Sequence, residues 1–458
     1  MSHANRRDFL KLSGTLALSV GALGAQQATP PGEKPRAVDK PATEKPVETV
    51  PPEKPKPAPK ADPLIVGVMG TAGRGTELAQ EFATLPTSHV KYVCDVDERN
   101  MKAAAARVAA RQEGQPDSIP QLVTDFRKML DDKSVDVIAI AAPDHWHAPA
   151  AILAMAAGKH VYVEKPCCHN PHEGELLVAA SKKHNRVVQH GTQRRSWPKN
   201  VEAIELVRSG GIGTVRLSRG WYANKRGETG RRTPGPVPPG LDWNLWQGPA
   251  PRREFTTNVV HYKWHWFWHW GTGELGNNGV HSLDVCRWGL GVDYPLSVTA
   301  SGGRYHFDDD QETPDTHVVT MDFGDKGMIV WDGQSCVPHG IEGSGFGAAF
   351  YGSDGTVVID GNGYKLYDPN RKLVKEESGS ADNAGHVANF LECCRTGGTP
   401  VADAEEAYKS TLICHLGNIA YRTGRTIRLD PKTHRIAGDK EAEKLWRREY
   451  EKGWEPKV

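Results

Sequence analysis

The sequence predicts an α/β protein in two parts, on three features. Between residues 64 and 190, short apolar runs alternate with helical stretches, the pattern that parallel strands with crossover helices produce. Beyond Arg194, the apolar runs 296–304, 318–323, 328–332 and 356–359 follow one another without helices between them, as antiparallel neighbours do. Two helical patterns, 386–394 and 404–421, then close the body.

The elements are preceded by a different kind of sequence. With 458 residues the chain has room for two or three domains. Its 57 basic residues stand against 56 acidic ones, so no electrostatic footprint for nucleic acid is present. The longest apolar run, 12–23, falls short of the roughly 20 residues needed to cross a bilayer, which excludes membrane insertion. It follows Arg6-Arg7, and a twin arginine ahead of a weakly apolar Gly/Ala/Ser stretch reads as a Tat export signal over residues 1–27, with a periplasmic or extracytoplasmic destination. Residues 28–62 form a Pro/Lys/Glu-rich segment without aromatics, which predicts a disordered spacer. The eight cysteines include no C-x-x-C pair, so neither a metal site nor a structural disulfide is expected.

The first strand, 64–69, runs into Gly70-Thr71-Ala72-Gly73-Arg74-Gly75 and a helix through Phe82. A strand, a glycine turn and a helix in this order hold a pyrophosphate against a helix N-terminus, although Ala72 stands where the second glycine of G-x-G-x-x-G is usual. The next strand, 90–94, ends in Asp95, 20 residues beyond Gly75, where a carboxylate accepts from the adenosine ribose hydroxyls. NAD is therefore expected over NADP, with Arg99 the one nearby group that could favour a 2′-phosphate; an acid at an ordinary strand-end turn is the alternative. A helix over 126–130, a strand over 135–140, a helix over 148–157 and a strand over 160–163 follow. Ligands sit at the carboxyl ends of such strands, where this chain places Ala141-Ala142-Pro143-Asp144-His145-Trp146-His147 and Glu164-Lys165-Pro166.

These segments, followed by Gly271-Thr272-Gly273 and Gly279-Val280-His281, resemble the Gfo/Idh/MocA oxidoreductase family in order and spacing, and the run 264–268 resembles its exported bacterial branch. The resemblance implies a Rossmann domain over 63–190, and a C-terminal α/β domain over 191–430 built on a large, mostly antiparallel open sheet. That sheet would hold substrate and make a homo-oligomer. Residues 431–458, rich in Glu, Lys and Arg, are expected as a surface tail. The resemblance further implies that Lys165 and His281 flank the reacting hydroxyl, and that Gln193 faces the cleft. Removing a hydride from a carbinol carbon requires a base for the hydroxyl proton, and a lysine beside a cationic ring has a lowered pKa. The family's aspartate four residues before the histidine is Asn277 here, which orients a substrate but accepts no proton. Asp284 then stands as a possible partner of His281, or as an ordinary acid.

The cofactor set read from these motifs is Gly70, Ala72, Gly73, Arg74, Gly75, Asp95, Pro143, Asp144, His147 and Glu164, with a helix cap as the other reading of His147. Residues 243–288 hold seven of the 13 tryptophans, interleaved with His261, His265 and His269. Indole faces with polar neighbours suit sugar rings, and Trp268 is the candidate contact, against core packing for the rest. An extended segment would turn Trp264, Trp266, Trp268 and Trp270 to one side and His265 and His269 to the other. Arg194 and Arg195 are candidates for a substrate hydroxyl or carboxylate, against solvated surface arginines. The function expected is hydride transfer between NAD and a secondary hydroxyl of a sugar or polyol. The alternatives are a redox-neutral glycosidase, lyase or epimerase with a retained NAD, and a non-catalytic sugar-binding protein stabilised by its cofactor.

Overall fold

The computed structural model describes residues 62–458. The expected signal over 1–27 and the spacer, apart from its last residue, lie outside the described residues.

The first half is a six-stranded parallel sheet in the order β3-β2-β1-β4-β5-β6. Its elements are β1 (Leu64–Met69), α1 (Gly73–Thr84), β2 (Ser88–Cys94), α2 (Glu98–Arg111), β3 (Gln121–Val123), α3 (Arg127–Asp131), β4 (Val137–Ile140), α4 (Asp144–Ala156), β5 (His160–Val163), α5 (Pro171–His184) and β6 (Val188–His190). The strands read as unbroken apolar runs because helices cover both faces, and Val66, Val68, Val137, Ile138 and Val161 are fully buried. Strand order reverses between β1 and β4, which opens a crevice at their carboxyl ends.

A 3₁₀ turn (Gln193–Ser196) leads into α6 (Pro198–Arg208) and the second half. Nine strands form its sheet in the order β14-β13-β12-β11-β7-β10-β9-β8-β15. They are β7 (Val215–Ala223), β8 (Ser297–Gly303), β9 (Thr316–Asp322), β10 (Met328–Gln334), β11 (Phe346–Gly352), β12 (Thr356–Asp360), β13 (Gly363–Tyr367), β14 (Leu373–Glu377) and β15 (Ile427–Arg428). Every pairing is antiparallel except β7 with β10. Helices α8 (Val280–Leu290) and α10 (Ala404–Thr423) cover one face, around Leu283, Trp331, Phe350, Leu412 and Leu416. A short α7 (Trp243–Gln247) lies in the long connection between β7 and α8. Helix α9 (Asn383–Thr396) returns to the first half, where Phe390 meets Phe82 and Tyr162 edge-on.

Three expectations change. Helix α4 begins at Asp144 rather than Ala148, because Pro143 is set extended before it and the Asp144 carboxylate favours the positive end of the first turn. The Trp-rich run is not extended: Lys263–Trp266 is a 3₁₀ turn, so the four indoles diverge. Trp264 and Trp270 join a small core with Trp243, Trp246, Phe255 and Phe267, whereas Arg226 lies over Trp266 and Arg422 over Trp268. Finally, 431–458 is no surface tail. After α11 (Lys440–Lys444), Trp446 is buried, Arg448 donates to Glu173 at 2.7 Å and to the His145 carbonyl at 2.7 Å, and Trp454 packs edge-on to Trp146. Three aromatic anchors, Trp446, Tyr450 and Trp454, outweigh the charge count that predicted solvation.

Candidate functional site

The turn after β1 passes too close to its neighbours for a side chain at two positions, Gly70 and Gly75. Gly70 has φ +80°, where a Cβ would stand 2.6 Å from the Ala142 nitrogen, and a Cβ on Gly75 would stand 1.7 Å from the Gly70 carbonyl oxygen. Helix α1 therefore starts directly against the turn, and no side chain caps its first N–H groups. Gly70, Ala72, Gly73 and Arg74 line a cavity of about 430 Å³, at the end of the helix that attracts anions. Ala72 is exposed at its rim.

Asp95 follows β2 directly and lines the same cavity. It accepts from the backbone N–H groups of Thr71 at 2.6 Å and Asp97 at 2.8 Å. Burial pushes its carboxyl above the usual range, against the pull of those donors. The Arg99 guanidinium is engaged by Asp97 at 2.8 Å, and Asn100, not Arg99, lines the cavity.

At the ends of β4 and β5 the cavity is lined by Pro143, Asp144, His147, Glu164 and Lys165. His147 bridges the two turns, with Nδ1 at 2.6 Å from the Pro166 carbonyl and Nε2 at 2.6 Å from that of Ala142. Asp144 accepts from the Thr272 hydroxyl at 2.6 Å, which ties the turn to the C-terminal domain. Burial raises its carboxyl above the usual range. Glu164 accepts from Arg74 Nε at 2.8 Å and from Gln193 Nε2 at 3.0 Å. Burial opposes its ionisation, but Arg74 and Lys165 overcome that and hold it below the usual glutamate range. Gln193, expected at the substrate, thus lies behind Glu164 and is not a lining residue, because the turn of 193–196 points its amide back at β5.

Lys165 reaches across to the C-terminal domain. Its Nζ donates to Asn277 Oδ1 at 2.9 Å and to the Asn277 carbonyl at 3.0 Å. A π-helical turn, Leu275–Gly279, presents both oxygens. Burial lowers the Lys165 amine, against the opposing pull of Glu164, Asp144 and Glu274. His281, one turn further on α8, is not among the residues that line the cavity; burial and the charges of Lys165 and Arg194 hold it well below the usual histidine range, so its ring is neutral at pH 7. Asp284 is not its partner. It accepts from Arg195 at 2.8 Å and Ser410 at 2.6 Å in a buried ion-pair group with Glu406, and this removes Arg195 from consideration as a substrate ligand. Arg194 is sandwiched between Trp197 and Phe346 and donates to the Gly361 carbonyl at 2.8 Å, outside the cavity lining. Trp268 is also outside it, with its backbone N–H on Glu312 at 2.8 Å.

The aromatic wall is made instead by Trp246, Tyr262, Trp264 and His265, with Leu245 beside them, on a strap between β7 and the π turn. His265 stacks on Trp264 with centroids 3.6 Å apart, and its Nδ1 faces the Tyr262 carbonyl at 2.6 Å. Burial depresses it to about 3. The strap is pinned over the end of β2 by the Leu241–Asp97 bridge, by the Glu98 N–H on the Gly240 carbonyl at 3.0 Å, and by His261 Nε2 on Asp97 at 2.9 Å. The sequence carried a signal for this, Asp97 as an N-cap ahead of α2 and the histidines of the Trp-rich run, but nothing that joined the two. No group of three His, Cys, Asp or Glu side chains among the described residues is placed to hold a metal ion.

The cavity fits a nicotinamide dinucleotide. Gly70 and Gly75 leave backbone where a Cβ would collide, α1 offers uncapped N–H groups, and Asp95 stands at the adenosine end while Lys165 and Glu164 stand at the other.

Known proteins agree with this construction. A profile described as "Oxidoreductase family, NAD-binding Rossmann fold" matches residues 64–192, and one described as "Oxidoreductase family, C-terminal alpha/beta domain" matches residues 180–456. A glycosyl hydrolase family 109 protein of Shewanella sp. (strain W3-18-1) is 28% identical over 225 residues, 49% of this chain and 47% of its own. Levoglucosan dehydrogenase of Pseudarthrobacter phenanthrenivorans is 27% identical over 235 residues, 50% of this chain and 51% of its own. The chain thus spans about half the length of the curated relatives it matches. The crystal structure of aldose-aldose oxidoreductase from Caulobacter crescentus, complexed with glycerol, superposes with a TM-score of 0.62 at 22% identity, over 80% of this chain and all of that one. With both of its halves matched in order, the chain belongs to the Gfo/Idh/MocA oxidoreductase family.

Proposed function

We propose that the protein is an NAD-dependent oxidoreductase that transfers hydride at a secondary hydroxyl of a sugar or polyol. The observation that carries this reading is Lys165 Nζ, on the cavity wall, held in place by both oxygens of Asn277. When bound, the nicotinamide supplies the hydride acceptor. Lys165 takes the hydroxyl proton as the carbinol becomes a carbonyl, and burial prepares it for this by weakening its hold on its own proton. The role of substrate-hydroxyl acceptor that the family resemblance gives His281 suits its neutral ring, though the ring lies outside the cavity lining. Tyr262 and Trp264 give the ring an apolar wall. Asp95 selects NAD, since a 2′-phosphate would face its carboxylate while Arg99 is occupied by Asp97. Support from relatives is their printed activity on carbohydrates.

A second reading, redox-neutral turnover with a retained NAD, is favoured by the strap pinned across the β2 end of the cavity. The reading includes Tat export to the periplasm, on the Arg6-Arg7 signal, and a homo-oligomer through the open face of the nine-stranded sheet, where Val318 and Met328 are exposed. The deciding experiment adds a panel of sugars and polyols to protein of known nicotinamide content and follows absorbance of the reduced ring. Net reduction with external NAD supports the dehydrogenase. Reduction and reoxidation without external NAD supports the redox-neutral cycle, and no change in ring state with any sugar removes both.

A further inference from the structure

Within the reading of Lys165 as the proton-transfer group, we infer that Glu274 is a positioning residue that supplies the carboxylate missing at Asn277 and raises the proton affinity of Lys165 through the Asn277 amide. The contacts run in one direction. Lys165 Nζ donates to Asn277 Oδ1 at 2.9 Å, and Asn277 Nδ2 donates to Glu274 Oε1 at 3.4 Å. An amide placed between an ammonium and a carboxylate has both ends of its dipole satisfied, and the arrangement also fixes which end of Asn277 is oxygen.

Glu274 is built for this position. It is buried, at the entrance to the π turn, and Arg226 Nε at 2.7 Å, Ser335 Oγ at 3.2 Å and Asn278 Nδ2 also donate to it. Four side chains that donate to one carboxylate hold it in place. The π turn matters because it places residue 277 and residue 274 on the same side, with the Asn277 carbonyl also free for Lys165. The other charged or titratable groups around Lys165 are Glu164 beside it, Asp144 and His147 on α4, Arg74 on α1, His281 on α8 and His265 on the strap. Glu164 pairs with Arg74 as Glu274 does with Arg226, and Asp144 is bonded to Thr272, but of the three only Glu274 is joined to the Lys165 amine by a hydrogen-bonded path, through the Asn277 amide.

The test reads the proton affinity of Lys165 directly, without substrate: competitive acylation with acetic anhydride across pH, quantified for each lysine by peptide mass spectrometry, the other lysines serving as internal standards. Glu274→Gln removes the charge at constant shape, and the Lys165 midpoint falls by about one pH unit. Asn277→Asp brings a carboxylate into direct contact, and the midpoint rises. Arg226→Met leaves the Glu274 charge uncompensated and also raises it, whereas a merely structural role for Glu274 would make Arg226→Met and Glu274→Gln shift together. An unmoved midpoint in Glu274→Gln, or a fall in Arg226→Met, overturns the inference. If the midpoints shift as stated and no sugar is oxidised, the relay stands and the functional reading alone fails.

Discussion

Lys165 Nζ and Asn277 Oδ1 lie 2.9 Å apart although 112 residues separate them in the chain. This contact joins the end of a parallel strand in one domain to a π turn in the other, and it places the group proposed for proton transfer where the two halves of the molecule meet.

Lys165→Met is expected to lower kcat by about a thousand-fold while nucleotide affinity changes little, since the amine contacts Asn277 and not the glycine turn. Steady-state kinetics, paired with nucleotide titration by intrinsic tryptophan fluorescence, check this. Near-normal kcat in the variant would sink the assignment.

Gly75→Ala puts a methyl 1.7 Å from the Gly70 carbonyl oxygen. Backbone on both sides must shift, which costs about 1–3 kcal/mol and opens the turn that receives the pyrophosphate. Urea denaturation and nucleotide titration should both register the loss. Ala72→Gly, at the exposed rim, should register little in either.

His261→Ala removes the ring that bonds Asp97 at 2.9 Å, one of the pins of the strap. Nucleotide dissociation is expected to quicken by about tenfold, with a smaller effect on association, because loss of a closing contact acts mainly on the off-rate. Displacement kinetics by stopped flow measure it. An unchanged off-rate would mean that the strap does not confine the nucleotide.

Acid stability follows from the buried rings. Burial depresses His190 to about 3 and His386 and His415 to about 4. The unfolded chain binds protons at these rings below about pH 6.5, whereas the folded one does not. Stability is therefore full above that pH and falls as pH drops from there toward 4, by about 1.4 kcal/mol per pH unit for each ring. Thermal melts between pH 7 and pH 4 should show the Tm declining across that window, and a flat profile would contradict the buried, neutral state of these histidines.

The parallel half was legible because its strands are covered on both faces, so that Leu64–Met69 and Val137–Ile140 stand out as apolar runs whose ends carry Gly70 and Pro143. Glu164-Lys165 was legible for the same reason, as the polar chemistry directly beyond β5, and the family resemblance then singled out Lys165. Trp268 was misplaced because alternation fixes a face only if the backbone is extended, and the turn at Lys263–Trp266 rotates each indole differently. The Glu274–Asn277–Lys165 path and the Asp97–His261 pin could not be read, since each depends on a long-range contact that local periodicity does not encode.

The crossing of residues 446–454 back onto α4 and α5, together with α9 against α1, has a consequence for motion. The C-terminal half is clasped to the Rossmann half at two of its helices, by Phe390 on Phe82 of α1 and by Trp454 on Trp146 of α4. A hinge that swung one sheet away from the other would have to unpack both clasps and the Arg448–Glu173 pair at once. Ligand exchange that leaves these contacts intact then proceeds without any parting of the two sheets, as a local event.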